Sequence, residues 1–278
     1  MKLKRLTAVF VVAVLTVLSI SCVSSATADK EPLLIGHRGY SSKYPENTMK
    51  AFKGAIKYGF DGIECDLWES ENGDLLVHHD STIERMCGVK KYVWEVNTKN
   101  RKKYPVVNGN NSEKYKNKKL YIPTIQEVID FAKESNCYLI IHIKNIPNKV
   151  GFSKSASNKL TKYISKANIK DKTYVMCHFV DILNQFDKSK VNTAITTSDT
   201  GYNKLLNTQS ICKQNGIKTI IHTAKIPKIK NSLNGNNLMS TLHSKKLKFG
   251  TYYTNTKKQY EYLKSIGADF AMSDYYLK

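Results

Sequence analysis

Several short stretches of this chain hold side chains that could work together on a charged substrate. His37 and Arg38 stand side by side in "LLIGHRGY", just past an apolar run. In "GIECDLW", Glu64 and Asp66 are two residues apart, so in a strand they face the same side. Two carboxylates converging in one cleft repel each other, and a divalent cation between them relieves this. "LLVHHDSTIER" offers His78 and His79. His78 alternates with Leu76 and faces away from His79, so His79, beside Asp80, is the candidate. "YLIIHIKN" places His142 and Lys144 two apart, again on one face. "TYYTN" and "FAMSDYY" offer Tyr253, Asn255 and Asp274. A cationic Lys144 can neutralise phosphoryl oxygens. These residue types suit a cleft that holds a divalent cation and a phosphoryl group.

Something must bring these stretches together. Counting only the strands that alternate with helical stretches gives eight, beginning near Leu33, Gly62, Tyr138, Thr173, Thr193, Lys218, Phe249 and Phe270. Strands in alternation with helices pair in parallel, because each crossover needs a helix. Eight such units over about 250 residues suit a TIM (β/α)8 barrel. That fold gathers its active site at the C-terminal mouths of the strands, where His37, Arg38, Glu64, Asp66, His142 and Lys144 would stand. Gly39 would let the chain turn sharply there. An open doubly wound sheet is the alternative, but no glycine-rich dinucleotide turn follows the first strand. Asn72-Gly73 predicts a hairpin after the second strand. Beyond it, Val89–Lys119 holds ten basic and two acidic residues with Asn108, Gly109, Asn110 and Asn111. Such a stretch reads as an insertion rather than a core element.

The chain has 278 residues and a formal charge of +21. Lys2, Lys4 and Arg5, then an apolar run from Leu6 to Ile20 and Ala26-Thr27-Ala28, fit a secretory signal peptide over residues 1–28. The run is short for a membrane span, the competing reading. A lipid anchor on Cys22 is another alternative, on an imperfect lipoprotein box. Cleavage after Ala28 removes three positive and no negative charges, leaving +18 on residues 29–278. A basic secreted or envelope-associated protein is drawn to an anionic envelope or polymer. The lysines are spread along the chain and no nucleic-acid module is visible, so a nucleic-acid partner is not expected. Five cysteines remain, an odd number that excludes complete internal pairing. Cys65, Cys137 and Cys177 lie in apolar runs and read as buried thiols.

Taken together, "GHRGYSSKYPENTMKAF", "GIECDLWESENGDLLVHHDSTIERMCG", "IPTIQEVIDF", "LIIHIK", "TYYTN" and "GADFAMSDY" resemble the glycerophosphodiester phosphodiesterase family. The resemblance implies a TIM barrel whose hairpin after the second strand starts a small insertion, here about residues 75–121. It implies hydrolysis of glycerophosphodiesters to glycerol 3-phosphate and an alcohol, assisted by one divalent metal ion. In such enzymes the neighbouring glycerol hydroxyl can attack first, giving a cyclic phosphate that water opens. By the resemblance, His37 and His79 take the catalytic histidine positions, Arg38 contacts phosphate, and Glu64 and Asp66 are metal ligands. Lys144 matches the lysine two residues beyond the third ligand. That third ligand is normally a glutamate, and here it is His142. Magnesium or calcium is the family expectation, whereas an imidazole ligand suits manganese or zinc. A hydrogen-bonding role for His142 is the alternative. Tyr253 stands where many members carry tryptophan and keeps an aromatic wall. Two other readings compete. A phospholipase D-like enzyme on the same barrel predicts an apolar rim, which the basic insertion does not supply. A non-catalytic binder of anionic wall polymer suits the charge, but both histidines count against it. Choline, ethanolamine, glycerol and a glycerol phosphate polymer all fit as the leaving alcohol.

Overall fold

In the computed structural model, residues 31–146, 151–198, 202–224 and 238–278 are described. The expected signal peptide and Cys22 lie outside them. The apolar runs form strands β1 (Leu33–Gly36), β2 (Gly62–Glu69), β3 (Leu75–Val77), β4 (Pro105–Val106), β5 (Leu120–Tyr121) and β6 (Tyr138–Ile143). These are followed by β7 (Thr173–Cys177), β8 (Asn192–Thr197), β9 (Thr219–His222), β10 (Lys248–Thr251) and β11 (Phe270–Ser273). Eight of them (β1, β2 and β6 to β11) pair in parallel around a ring that closes through β1 on β2. Closure excludes the open sheet. Every barrel strand begins within one residue of its expected start.

Four helices start where the sequence supplies a side-chain acceptor for their first free N–H groups. α1 (Met49–Lys57) is capped by Thr48, and the short α2 (Glu84–Cys87) follows β3. α3 (Ile125–Ser135) opens on a reciprocal box between Thr124 and Glu127, and α4 (Lys154–Ala167) is capped by Ser153. Then come α5 (Val180–Leu183), α6 (Tyr202–Gln214) and α7 (Leu238–Ser244). α8 (Lys257–Ser265) repeats the box with Thr256 and Gln259.

Alternation along the strands decides what faces the barrel. Ile35, Ile140, Tyr174, Met176, Ile221, Phe270 and Met272 fill its interior. Ile63, Cys65 and Leu67 face out against the helices, leaving Glu64 and Asp66 pointing in. Asn72-Gly73 turns β2 back into antiparallel β3, with Gly73 at φ +64°. The stretch beyond β3 is α2, short helical turns and the β4–β5 pair. It has its own small core of Trp68, Leu76, Ile83, Met86, Val93 and Ile122. Cys65, Cys87, Cys137, Cys177 and Cys212 are free and buried. Among the described residues, no helix is long and apolar enough to cross a membrane.

Candidate active site

The mouth of β1 is a tight, left-handed turn. Arg38 has φ +56° and Gly39 φ +79°. A Cβ on Gly39 would lie 2.6 Å from the carbonyl carbon of Ala51, so only glycine fits there. Arg38 accepts an unfavourable backbone conformation, and its N–H then donates to Glu64 Oε2 at 2.9 Å. His37 continues the inward face of Ile35. Its Nδ1 lies 2.8 Å from Asp274 Oδ1. An ionised carboxylate can only accept, so this nitrogen carries the hydrogen and Nε2 is left for other work. Asp274 also accepts from Ser41 Oγ at 2.8 Å and Asn255 Nδ2 at 2.7 Å. Burial raises the Asp274 pKa, but these bonds and the histidine outweigh it and bring it down to about 2. Burial disfavours the charged His37 ring, yet the bond to Asp274 and the charge of Glu64 prevail and raise its pKa.

Glu64 and Asp66 are buried on the inward face of β2, and Asp66 stands in register with His142 on β6. Burial and the Asp66 charge push Glu64 up to about 7. Asp66 behaves oppositely. Burial works against its charge, but His142, Lys144 and Arg38 hold it well below the usual carboxylate range. Lys144 Nζ is 3.7 Å and His142 Nδ1 3.4 Å from Asp66 Oδ1, and Arg38 Nε is 3.4 Å from Oδ2. Asn47 Nδ2 also donates to Asp66 Oδ2 at 2.8 Å. Glu64, Asp66 and His142 each offer a donor atom, all within 4.8 Å of one another. Burial lowers the His142 pKa, which favours the neutral imidazole that a metal needs. The donor set therefore fits one divalent ion.

His79 sits opposite, after β3. Its Nδ1 is 2.7 Å from Asp80 Oδ1, and its backbone carbonyl accepts from Trp68 Nε1 at 3.4 Å. Burial lowers its pKa, and the Arg38 and Lys144 charges add to this against Asp66. His78 is buried facing elsewhere, its Nε2 2.9 Å from the Thr82 carbonyl. His37, Arg38, Glu46, Asn110, Tyr253 and Asp274 line a pocket of about 280 Å³. The Tyr253 ring stands edge-on to His37 at 5.8 Å. A larger cavity of about 860 Å³ lies by α6 and the starts of β9 and β10, and none of the candidate residues lines it.

Three contacts were not foreseen. Tyr252, not Tyr253, is the inward residue at the end of β10. Its hydroxyl donates to Glu64 Oε1 at 3.2 Å and lies 3.3 Å from His142 Nδ1. Counting alternate positions from Gly250 would have found it. Asn47 was hidden in a loop, where no period marks a side chain as inward. Glu46 binds Arg38 NH1 at 2.8 Å.

A family model described as "Glycerophosphoryl diester phosphodiesterase family" matches residues 37–278. A Bacillus altitudinis glycerophosphodiester phosphodiesterase is 26% identical over 247 residues, 87% of this chain and 94% of the relative. A Caldanaerobacter subterraneus glycerophosphodiester phosphodiesterase is 32% identical over 143 residues, 51% of this chain and 56% of the relative. Among solved structures, a phosphodiesterase of Oleispira antarctica in complex with the product sn-glycerol 3-phosphate is similar, with TM-score 0.72 and 17% identity. The match covers 88% of this chain and 94% of that one. A Thermotoga maritima glycerophosphodiester phosphodiesterase gives TM-score 0.67 at 18% identity, covering 88% and 95%. These structural likenesses carry the fold.

Proposed function

Because the chain belongs to the glycerophosphoryl diester phosphodiesterase family, we propose that it hydrolyses glycerophosphodiesters to glycerol 3-phosphate and an alcohol, with His37 and His79 as proton donor and acceptor. The observation that carries this reading is geometric: two histidines, each with Nδ1 held by a carboxylate, stand beside one buried acid pair that Arg38 and Lys144 approach. His37 is biased toward its charged form by Asp274, and His79 toward its neutral form by burial. A neutral His79 accepts the proton of the attacking hydroxyl, and a charged His37 gives a proton to the departing alcohol oxygen. If the attacker is the neighbouring glycerol hydroxyl, the phosphorus–oxygen bond to the alcohol breaks as a cyclic phosphate forms. Water then opens the ring with the two proton roles exchanged. Arg38 and Lys144 face the phosphoryl oxygens and offset their charge. Tyr253 walls the substrate at the rim.

Glu64, Asp66 and His142 would hold the divalent ion. When bound, that ion supplies further charge stabilisation to the phosphoryl group. One nitrogen and two carboxylates favour manganese or zinc over magnesium or calcium. The expected N-terminal signal and the basic charge support a secreted or envelope-associated enzyme, and a polymeric glycerol phosphate is then a substrate of the right charge. Glycerol 3-phosphate release should be measured from glycerophosphocholine, glycerophosphoethanolamine and glycerophosphoglycerol. Release from at least one is the expected result, and none from any, with every metal tried, would refute the reading.

A further inference from the structure

Arg85 lies in α2, in the stretch between β3 and β4, and does not line the pocket. Its guanidinium nevertheless reaches toward both sides of the site. Nε donates to Asp80 Oδ2 at 2.6 Å, and NH2 donates to Glu46 Oε1 at 2.7 Å. NH1 adds a longer bond to Glu46 Oε2 at 3.3 Å. Each carboxylate is tied in turn to a candidate site residue. Asp80 Oδ1 binds His79 Nδ1 at 2.7 Å, and Glu46 Oε1 accepts from Arg38 NH1 at 2.8 Å. The result is a continuous chain from His79 through Asp80, Arg85 and Glu46 to Arg38. It joins the loop after β1 to the segment after β3, which no strand pairing does. Its four charged members balance, and both carboxylates are held below their ordinary pKa against the cost of burial. The backbone of Arg85 is anchored as well. Asn108 Nδ2 donates to its carbonyl at 2.9 Å, and the neighbouring Met86 is buried in the small core beneath.

We propose that Arg85 is a positioning residue whose single guanidinium, forked between Asp80 and Glu46, sets the orientation of His79 relative to Arg38. The proposal rests on the assignment of His79 and Arg38 to the reaction. A lysine has no planar fork and holds one carboxylate as a point charge, so it cannot replace this contact fully. Through this chain, the segment after β3 acts on the chemistry while its arginine stays outside the pocket.

The test compares wild type with Arg85→Ala, Arg85→Lys, Glu46→Gln, Arg85→Ala/Glu46→Gln and His79→Ala, reading kcat and KM for a substrate turned over by the wild type, pH dependence and Tm. Arg85→Ala should lose about 10- to 100-fold in kcat/KM, the range for residues that orient a working group from outside. Arg85→Lys should recover only part of this. The double variant should be no worse than the sum of its parts and less than additive, since both changes cut one chain. The acid limb of the kcat/KM profile should also move to higher pH in Arg85→Ala. His79 is faced by Asp80 and Asp66, which favour its charge, and by Arg38, Lys144 and His142, which oppose it. Removing Arg85 frees Asp80 to serve His79 alone. The proposal is overturned if Arg85→Ala keeps wild-type kcat/KM and pH profile while His79→Ala is inactive. It is equally overturned if both Arg85 variants lose activity only in proportion to the fraction unfolded. A His79→Ala variant with the wild-type rate instead refutes the site assignment itself.

Discussion

His37 and His79 are the same residue type in two electrostatic settings. Around the ordinary histidine value of 6.5, His37 is shifted up and His79 down. If His37 donates and His79 accepts the proton as proposed, the rate requires charged His37 and neutral His79 together. It should therefore fall as pH drops through the His79 value, below 6.5, and fall again as pH rises through the His37 value, above 6.5. A bell-shaped kcat/KM profile is the expected outcome, and a profile that rises monotonically across both would contradict the assignment. Replacing either histidine by alanine should cost at least ~100-fold in turnover, the scale of lost general acid–base catalysis. His142 sets a separate test. If its ring is a ligand, His142→Glu should gain affinity for magnesium or calcium and lose preference for manganese or zinc, read by calorimetric titration of each ion. Unchanged ion preference would leave His142 as a hydrogen-bond partner of Asp66 and Tyr252. Glu64, Asp66 and His142 were legible because strand alternation marks an inward acid or histidine among apolar neighbours, whereas His37 and His79 lie just past their strands and took their roles from the family resemblance. Asn47, Glu46 and Arg85 were not legible, since their roles depend on how loops meet in space.

At the scale of elements, the turn after β1 and the hairpin after β2 both use a glycine at positive φ, with different consequences. Gly73 has no other atom within 4 Å of an added Cβ, so Gly73→Ala meets only the left-handed backbone penalty, about 1 kcal/mol. Gly39→Ala adds a collision with the Ala51 backbone at 2.6 Å. It should destabilise the fold by clearly more than Gly73→Ala in urea unfolding and reduce activity, because the adjacent Arg38 N–H to Glu64 contact would shift. Equal costs for the two would contradict this account of the turn. The barrel strands were readable because each parallel strand is an apolar run bounded by polar turns, while the caps Thr48, Thr124, Ser153 and Thr256 fix four of the helix starts in the structure. Strand ends were less readable. The sequence does not mark where β10 stops, so Tyr253 stands out as the rim aromatic although it is Tyr252 that turns inward.

For the whole molecule, the alternation of eight strands with helices pointed to the barrel but also allowed an open sheet, and it is the pairing of β1 with β2 that closes the ring. The charge and the proposed N-terminal signal bear on location. Cleavage after Ala28 predicts that the mature protein begins at Asp29, and mass spectrometry of protein recovered from the producing cells and their medium would show it. A mature protein retaining Met1, or one lipidated at Cys22, would rule that out. The central claim is hydrolysis of a glycerophosphodiester by this barrel mouth with a divalent ion. Its most direct test is glycerol 3-phosphate release from glycerophosphocholine by the purified wild-type protein, before chelation with EDTA, after it, and after readdition of single ions. The account predicts release, its loss on chelation, and its return with manganese or zinc ahead of magnesium or calcium. Absence of glycerol 3-phosphate under every metal condition would contradict it.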